Sequence, residues 1–227
     1  MSLFHSYASN IFYIDNKTKE VFVLQKITRR PNLIIKQKNQ IMKKYRLTSE
    51  TISYDGHMLH RIQCVNSFFA SHFNKTITEG ELGGFVESDA NLSQEGECWV
   101  DKDSMVYGNA EICGNAFITH NSVIHGNALI RRNVCVMEAN IKGDAIVSSP
   151  SDYTVFPIPG SAHGFVTWTK SDDRWSVGKF YGSSSELVRM AYEHGSDVGE
   201  MYNIIVQAAF LLFPYDKEFE CFADSNF

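Results

Sequence analysis

Seven aliphatic residues follow one another at intervals of six in the middle of the chain, and this spacing constrains the fold more than any other feature. They are Val100, Val106, Ile112, Ile118, Ile124, Ile130 and Val136. The residue two places before each of them is small in nearly every case, and an asparagine stands three places after five of them. A period of six fits neither an α-helix nor an ordinary amphipathic strand. The pattern is typical of hexapeptide repeats and predicts a short left-handed parallel β-helix in a mainly β protein.

Two departures from the period predict local changes in the coil. The step from Leu92 to Val100 is eight residues, so two extra residues should bulge as a loop within Ser93–Cys98. The step from Val136 to Ile141 is five residues, which predicts one shortened corner late in the repeat. Since three six-residue sides complete one coil, aliphatics one coil apart should stack at the inter-strand spacing of about 4.8 Å. The expected stacks are Val100 on Ile118 on Val136, Val106 on Ile124, and Ile112 on Ile130.

The chain divides into four predicted parts. Residues 1–41 form a basic N-terminal extension with a predicted hairpin, and residues 42–83 form a β-rich lead. Residues 84–149 hold the β-helix. Residues 150–227 are predicted to form an α+β module of about three strands and two helices. Because a bare last coil would expose an edge for open-ended stacking, we expect this module to cap it.

Charge and composition limit the classes of partner. Residues 1–41 carry a net charge of +5 and the remainder carries −10. An acidic surface repels phosphates, so we expect nucleic-acid binding only through the basic segment. No apolar run is long enough to span a membrane, and the first ten residues lack the features of a signal peptide, which together predict a cytoplasmic protein. The cysteines lack CxxC spacing, so we expect reduced thiols and no metal site. They are Cys64, Cys98, Cys113, Cys135 and Cys221.

Several motifs mark a resemblance to a known group of proteins. They are Gly83-Gly84-Phe85-Val86-Glu87, Asn91-Leu92-Ser93 with Gly96, and Trp99-Val100, followed by Gly-Asn-Ala-x-[Ile/Val] repeats. Residues 42–147 resemble uncharacterised hexapeptide-repeat proteins of enterobacteria and tailed phages, which are often labelled polymer-forming or acyltransferase-like. The tail, from about residue 157 to residue 195, resembles a small α+β module of similar phage proteins. The resemblance implies a fold and a phage or prophage origin, but no established activity.

The enzymatic alternative is acyl transfer. Many left-handed β-helices are acyl-CoA-dependent acyltransferases in which a histidine deprotonates the acceptor. His120 and His125 are the only histidines in the repeat and therefore the only candidates there. Neither has an acidic residue in its own hexapeptide to orient the ring. We therefore favour no catalytic residue and expect no cofactor, since acyl-CoA belongs only to the acyltransferase alternative.

Bulky residues next to the inward aliphatics should face outward, because side chains alternate across a strand. We expect a contact surface where these residues are apolar, since contiguous apolar surface on a soluble protein usually marks an interaction. One predicted surface consists of Trp99, Phe117, Cys135 and Met137. A second consists of Met105, Tyr107 and Val123. The third side is mixed, with Glu111, Cys113, Leu129 and Arg131.

Three explanations of the apolar sides stay open at this point. Other segments of the same chain could cover them, copies of the chain could associate as a trimer or dimer, or a foreign protein could bind. We expect a non-enzymatic interaction or structural protein, which would act on a host protein if it is encoded by a phage. The alternatives are an acyl-CoA-dependent acyltransferase and a self-assembling structural oligomer.

Overall fold

The computed structural model of the protein describes residues 10–14, 21–25, 43–158 and 164–213. The chain forms two units, Met1–Met42 and Lys43–Phe227. In the first unit, β1 (Asn10–Ile14) pairs with β2 (Val21–Gln25) as an antiparallel hairpin, as their alternating pattern predicts. The side chains of the predicted basic segment lie outside the described part, and so do residues 214–227 with Cys221.

The second unit begins with two antiparallel hairpins. The first hairpin turns at Asp55 and Gly56, which both have positive φ angles of 49° and 84°. Glycine adopts such angles freely, and aspartate tolerates them better than most residues. The second hairpin is short and lies between the first hairpin and the β-helix in sequence. The strands are β3 (Tyr45–Tyr54), β4 (His57–Cys64), β5 (Phe68–Ala70) and β6 (Lys75–Ile77).

Ten short strands then wind into a β-helix with three flat sides. Side 1 consists of β8 (Trp99–Val100), β11 (Phe117–Thr119) and β14 (Cys135–Met137). Side 2 consists of β7 (Leu82–Val86), β9 (Met105–Val106), β12 (Val123–Ile124) and β15 (Asn140–Ile141). Side 3 consists of β10 (Glu111–Ile112), β13 (Leu129–Ile130) and β16 (Ile146–Val147). Strands on each side pair in parallel, and β4 and β3 extend side 2 into a six-stranded sheet.

The predicted aliphatic stacks are confirmed. Ile118 pairs with Val100 on one side and with Val136 on the other, and Ile112 pairs with Ile130. All of these side chains are fully buried. Burial of a side chain of this size stabilises the fold by about 1.5–3 kcal/mol, so the stacks supply the core of the β-helix.

The two irregularities of the repeat also appear where the spacing places them. Val86 pairs with Val106, twenty residues away, because the loop within Ser93–Cys98 lengthens the first coil by two residues. Ile124 pairs with Ile141, seventeen residues away, because the late corner is one residue shorter. The ladders therefore continue without a break across both irregularities.

The first coil is closed by the lead. Strand β4 pairs antiparallel with β7, so the backbone of side 2 finds a partner beyond the first coil. On the next side, the hydroxyl of Tyr45 donates a hydrogen bond to the carbonyl of Leu92. Both residues are fully buried, which means that this carbonyl has no access to water. A buried carbonyl without a partner costs free energy, and Tyr45 removes that cost.

The loop within Ser93–Cys98 is held by a buried lysine. Lys44 is 6% exposed, and its Nζ lies 3.4 Å from the carbonyl oxygen of Glu95, 3.3 Å from that of Gly96 and 3.2 Å from Cys98 Sγ. Its backbone N–H donates to Gln94 Oε1 at 2.9 Å. Burial lowers the pKa of the Lys44 amine, while the thiol of Cys98 acts in the opposite direction. The loop within Ser93–Cys98 thus forms one of the contacts between the β-helix and the lead.

The last coil is closed by side chains of the C-terminal module. The hydroxyl of Tyr153 donates to the carbonyl of Cys135 at 2.8 Å and accepts from the N–H of Met137 at 3.3 Å. In a parallel ladder, one residue of a following strand would make both of these hydrogen bonds. One phenol group therefore replaces one residue of a further coil.

Three more side chains complete this cap. Thr167 Oγ1 accepts from the N–H of Asn140 at 3.0 Å, and Ser171 Oγ accepts from the N–H of Ile146 at 2.7 Å. Asp152 Oδ2 accepts from the N–H of Ser148 at 2.8 Å. All three sides of the last coil are thus capped by side chains, which closes the edge against stacking of another coil.

The C-terminal module is an antiparallel sheet with two helices. Its core contains the fully buried Trp168 and Trp175. The third predicted strand is split into two, because Gly178 with a φ of 53° turns the chain. Ser183 and Glu186 form a capping box at the start of the first helix. The elements are β17 (Tyr153–Pro157), β18 (Phe165–Thr169), β19 (Arg174–Val177), β20 (Phe180–Gly182), α1 (Ser184–Glu193) and α2 (Ser196–Leu212).

Among the residues that the structure describes, no helix combines the length and the apolar character that crossing a membrane requires.

We expect Ile118→Ala to lower the free energy of unfolding by about 2–5 kcal/mol, because truncation leaves a cavity in the middle of a stack. Ile204→Ala is the matched control, since Ile204 is 65% exposed; its effect should stay within about 0.5 kcal/mol. Urea denaturation followed by circular dichroism measures both. Equal losses for the two variants would contradict the assigned core.

We expect Tyr153→Phe to lower the free energy of unfolding by about 1–3 kcal/mol, because it leaves the carbonyl of Cys135 and the N–H of Met137 without a partner. Tyr192→Phe removes the same atom from a side chain that is 47% exposed and should have no measurable effect. Thermal and urea denaturation of both variants would show the difference. A Tyr153→Phe variant as stable as the control would argue against the cap.

Candidate functional site

The strands place the predicted surface residues in columns, one residue from each coil. On side 1, Trp99, Phe117 and Cys135 pair in register, and Met137 follows at the end of the last strand. On side 2, Met105 and Val123 pair in register. The columns were predicted from the period of the repeat, and the pairing confirms them. The remaining question is which columns are open to a partner.

Side 1 is largely covered by the chain itself. The β5–β6 hairpin lies over it, with the ring of Phe73 stacked 4.3 Å from that of Phe117 and Phe68 edge-on 5.9 Å from Trp99. Trp99 is fully buried and Phe117 is 4% exposed. The prediction that these two residues form a free contact surface is therefore wrong. Phe68 lies in the three-residue strand β5, and Phe73 lies in the turn between β5 and β6, and both segments are too short to give a periodic signal in the sequence.

The lower end of side 1 is more open. Met137 is 47% exposed, and Cys135 is half-buried. The hydroxyl of Tyr153 bonds to the backbone of these two residues. The open part of side 1 is therefore small and lies on the last coil.

Side 2 is partly covered by the tip of the β3–β4 hairpin. Tyr107 is 3% exposed and packs with Leu59 and Phe85 in a small apolar cluster. Its hydroxyl lies 3.4 Å from Asp55 Oδ2, which is an acceptor at the tip of the hairpin. Tyr107 is thus a second predicted surface residue that the chain buries. Met105 and Val123 are half-buried at the margin of this cluster.

A column of titratable side chains runs down side 2. Glu87, Tyr107, His125 and Lys142 each stand one place after an inward aliphatic, and they follow one another from coil to coil. The rings of Tyr107 and His125 are stacked, with centroids 4.7 Å apart and an angle of 11° between their planes. Sequence reasoning identified His125 but missed Glu87 and Lys142. The period of the repeat could have found both, because each continues the same column.

His57 adds a histidine–carboxylate pair at the top of this column. Its Nδ1 lies 3.0 Å from Glu87 Oε1, and the N–H of Gly108 donates to the other carboxylate oxygen at 2.7 Å. The hydrogen bond from His57 is the main reason that the pKa of Glu87 lies below its ordinary value. The His57 ring also lies 4.8 Å from that of Tyr107. The pair therefore fastens the hairpin tip to side 2.

His125 is held in a half-buried position that favours its neutral form. Burial is the main cause that lowers its pKa, and the nearby ammonium group of Lys142 and the ring of His57 act in the same direction. Asn140 and Asp55 act in the opposite direction. The Oδ1 atom of Asn140 is buried, yet it has no hydrogen-bond partner with full geometry among the described residues.

The arrangement gives little support to acyl transfer. One face of the His125 ring is taken by Tyr107. His120 lies exposed at a corner with a φ of 52°, and within the described residues it makes no hydrogen bond or ion pair. An open depression of about 400 Å³ lies at the last-coil end of side 3, and neither histidine nor cysteine lines it. It is lined by Ile146, Ser148, Asp152, Lys170 and Ser171.

Side 3 differs from the other two sides because the described chain does not bury any of its outward side chains. Ile146 is 41% exposed, Glu111 and Arg131 are exposed, and Leu129 is half-buried. Arg131 Nε donates to Ser148 Oγ at 2.9 Å, which keeps the guanidinium on this face. The sequence predicts a mixed composition for side 3, and this side was not among the predicted contact surfaces. Its exposure follows from the placement of the two hairpins, which the repeat pattern does not contain.

No metal site is present in the described ranges, where no group of three or more His, Cys, Asp or Glu side chains is arranged to hold an ion.

We expect stability to depend on His125 between pH 7 and pH 5. Its pKa in the folded state lies below the ordinary value of 6.5, so the unfolded chain binds the proton first as the pH falls. The free energy of unfolding should therefore decrease below about pH 6.5. Glu87, whose pKa is also lowered, should contribute only below its ordinary value of 4.5.

The His125→Gln variant should lose less stability than the wild type over this pH range, because it removes the titrating ring. Urea denaturation at several pH values measures this difference. An unchanged slope in the variant would assign the pH dependence to other groups.

Comparison with known proteins leaves the family open: no protein-family model matches the chain, and no curated protein matches it.

Proposed function

We propose that the protein is a non-enzymatic binding protein and that it contacts a protein partner through side 3. The observation that carries this proposal is the difference between the three sides. The chain buries the aromatic residues of sides 1 and 2 under its own hairpins, while none of the outward side chains of side 3 is buried within the described residues.

The composition of side 3 suits a protein contact. Leu129 and Ile146 stand in one column and offer apolar area, and Arg131 stands beside them with a charged group and a long apolar stem. Interfaces combine apolar contacts with a small number of charged groups, and arginine is enriched among the residues that contribute most to affinity. A small-molecule site is normally an enclosed pocket, whereas the depression beside Ile146 at the end of this side is open to solvent.

The caps at both ends bear on the structural alternative. A self-assembling fibre of β-helices would need free edges on its first and last coils. Here β4 pairs with the first coil, and Tyr153, Thr167, Ser171 and Asp152 bond to the last one. Assembly by end-to-end stacking is therefore disfavoured, whereas contact through a side is not. A phage or prophage origin remains part of the proposal, and a host protein and a second copy of this chain are the candidate partners of side 3.

Affinity capture with matched surface variants tests this proposal. We expect Leu129→Arg to abolish capture of the partner, because it places a charge in the middle of side 3. Leu82→Arg is the control, since Leu82 is 45% exposed on β7 of side 2. This variant should leave capture intact. Both variants should keep the circular dichroism spectrum of the wild type.

The enzymatic alternative is tested in parallel. The wild type should show no thermal shift with acyl-CoA, and His120→Ala and His125→Ala should capture the partner as the wild type does. Capture that ignores Leu129→Arg, or acyl-CoA turnover that is lost in a histidine variant, would overturn the proposal.

A further inference from the structure

We infer that side 3 is complementary to itself and binds side 3 of a second copy of this chain, with the two β-helix axes parallel. The inference rests on the proposed function and names the partner. It is carried by the shape of side 3, by two charged groups on it and by the symmetry that would pair them.

The outward residues of side 3 form two columns. The first column consists of Glu111, Leu129 and Ile146, which pair in register. The second consists of Cys113, Arg131 and Ser148, which lie two places further along each strand. Between the columns, Ile112, Ile130 and Val147 point into the core.

The corners that border the first two coils of this face are regular. At one corner, Asn109 Nδ2 donates to Asn127 Oδ1 at 3.0 Å, and Asn127 Nδ2 donates to Asp144 Oδ1 at 2.8 Å. At the other, Asn115 Nδ2 donates to Asn133 Oδ1 at 2.9 Å. These ladders hold successive corners directly above one another. Around β10 and β13, two such faces can therefore approach to about 10 Å, the ordinary distance of packed sheets, while the open depression borders the last coil.

Two charges of opposite sign on this face lack an ion-pair partner. Glu111 and Arg131 are exposed, and neither forms an ion pair with another residue of the described ranges. They stand in different columns and one coil apart. Both charged groups affect the pKa of the Cys113 thiol. Burial raises this pKa most, Glu111 raises it further and Arg131 lowers it.

A two-fold axis parallel to the β-helix axis would place the first column of one copy opposite the second column of the other. Glu111 then lies one coil, about 4.8 Å along the axis, from Arg131 of the second copy, and the symmetry forms this pair twice. Leu129 faces the apolar stem of the same arginine. Both long side chains can reach across a gap of about 10 Å.

The antiparallel arrangement centred on β13 is less favourable. It would place Arg131 directly opposite Arg131 of the second copy, and like charges in contact across an interface cost several kcal/mol. It would also leave Glu111 opposite Ile146. The charge pattern therefore selects the parallel arrangement.

Charge reversal and mixing test the inference on the full-length protein by sedimentation velocity. The wild type should dimerise. Glu111→Arg and Arg131→Glu should each weaken the dimer by roughly tenfold or more, because each creates two like-charge contacts. An equimolar mixture of the two variants should dimerise as the wild type does, because both cross-copy pairs then join opposite charges.

Glu79→Arg and Lys102→Glu are the controls, since they reverse exposed charges outside side 3 and should leave the dimer unchanged. A wild type that stays monomeric, single variants without effect, or a mixture that does not recover would each overturn the inference. The proposed function would survive such a result if capture of a foreign protein still depended on Leu129. It would fail as well if Leu129→Arg had no effect on any association.

Discussion

The structure depends on the stacking of aliphatic side chains inside the β-helix. Each side of a coil contains strands of only two or three residues in most cases, and such strands have no stability of their own. Burial of one inward aliphatic per side, in register with those above and below, provides the main favourable term that holds the coils together. Among the described residues of the second unit, the lead closes the first coil and covers parts of two sides, and the C-terminal module closes the last coil.

The first and the last coil of the β-helix are closed in different ways. At the first coil a strand continues the sheet of side 2, and the Tyr45 hydroxyl bonds to a buried carbonyl. At the last coil no strand continues, and the Tyr153 hydroxyl acts both as donor and as acceptor. Because both ends are occupied, a partner of the β-helix itself would contact one of its sides. This is the structural reason for assigning function to a face of the β-helix rather than to its edges.

The fold and the site differ in how far the sequence predicts them. The stacks of Ile118 and Ile130, the loop within Ser93–Cys98 and the shortened corner follow from spacing, because one geometric rule fixes the position of every residue in a repeat. The burial of Trp99 and Tyr107 does not follow, since it depends on where two hairpins from outside the repeat come to lie. The same limit explains why side 3 was not proposed from the sequence: its residues are less apolar, and they stand out only because no segment within residues 43–158 and 164–213 buries them. His57 was missed because it joins Glu87 across thirty residues of chain.

The reactivity of Cys113 tests the central claim most directly, because this thiol lies on side 3 while Cys98 is fully buried in the first coil. Thiol labelling followed by mass spectrometry can be carried out on the full-length protein at low and at high concentration. The account predicts that Cys113 is labelled well before Cys98 in dilute solution and becomes protected as the concentration rises, while Cys98 stays protected throughout. Labelling of Cys113 that is as slow as that of Cys98 in dilute solution would show that the chain already covers side 3, which would contradict the account.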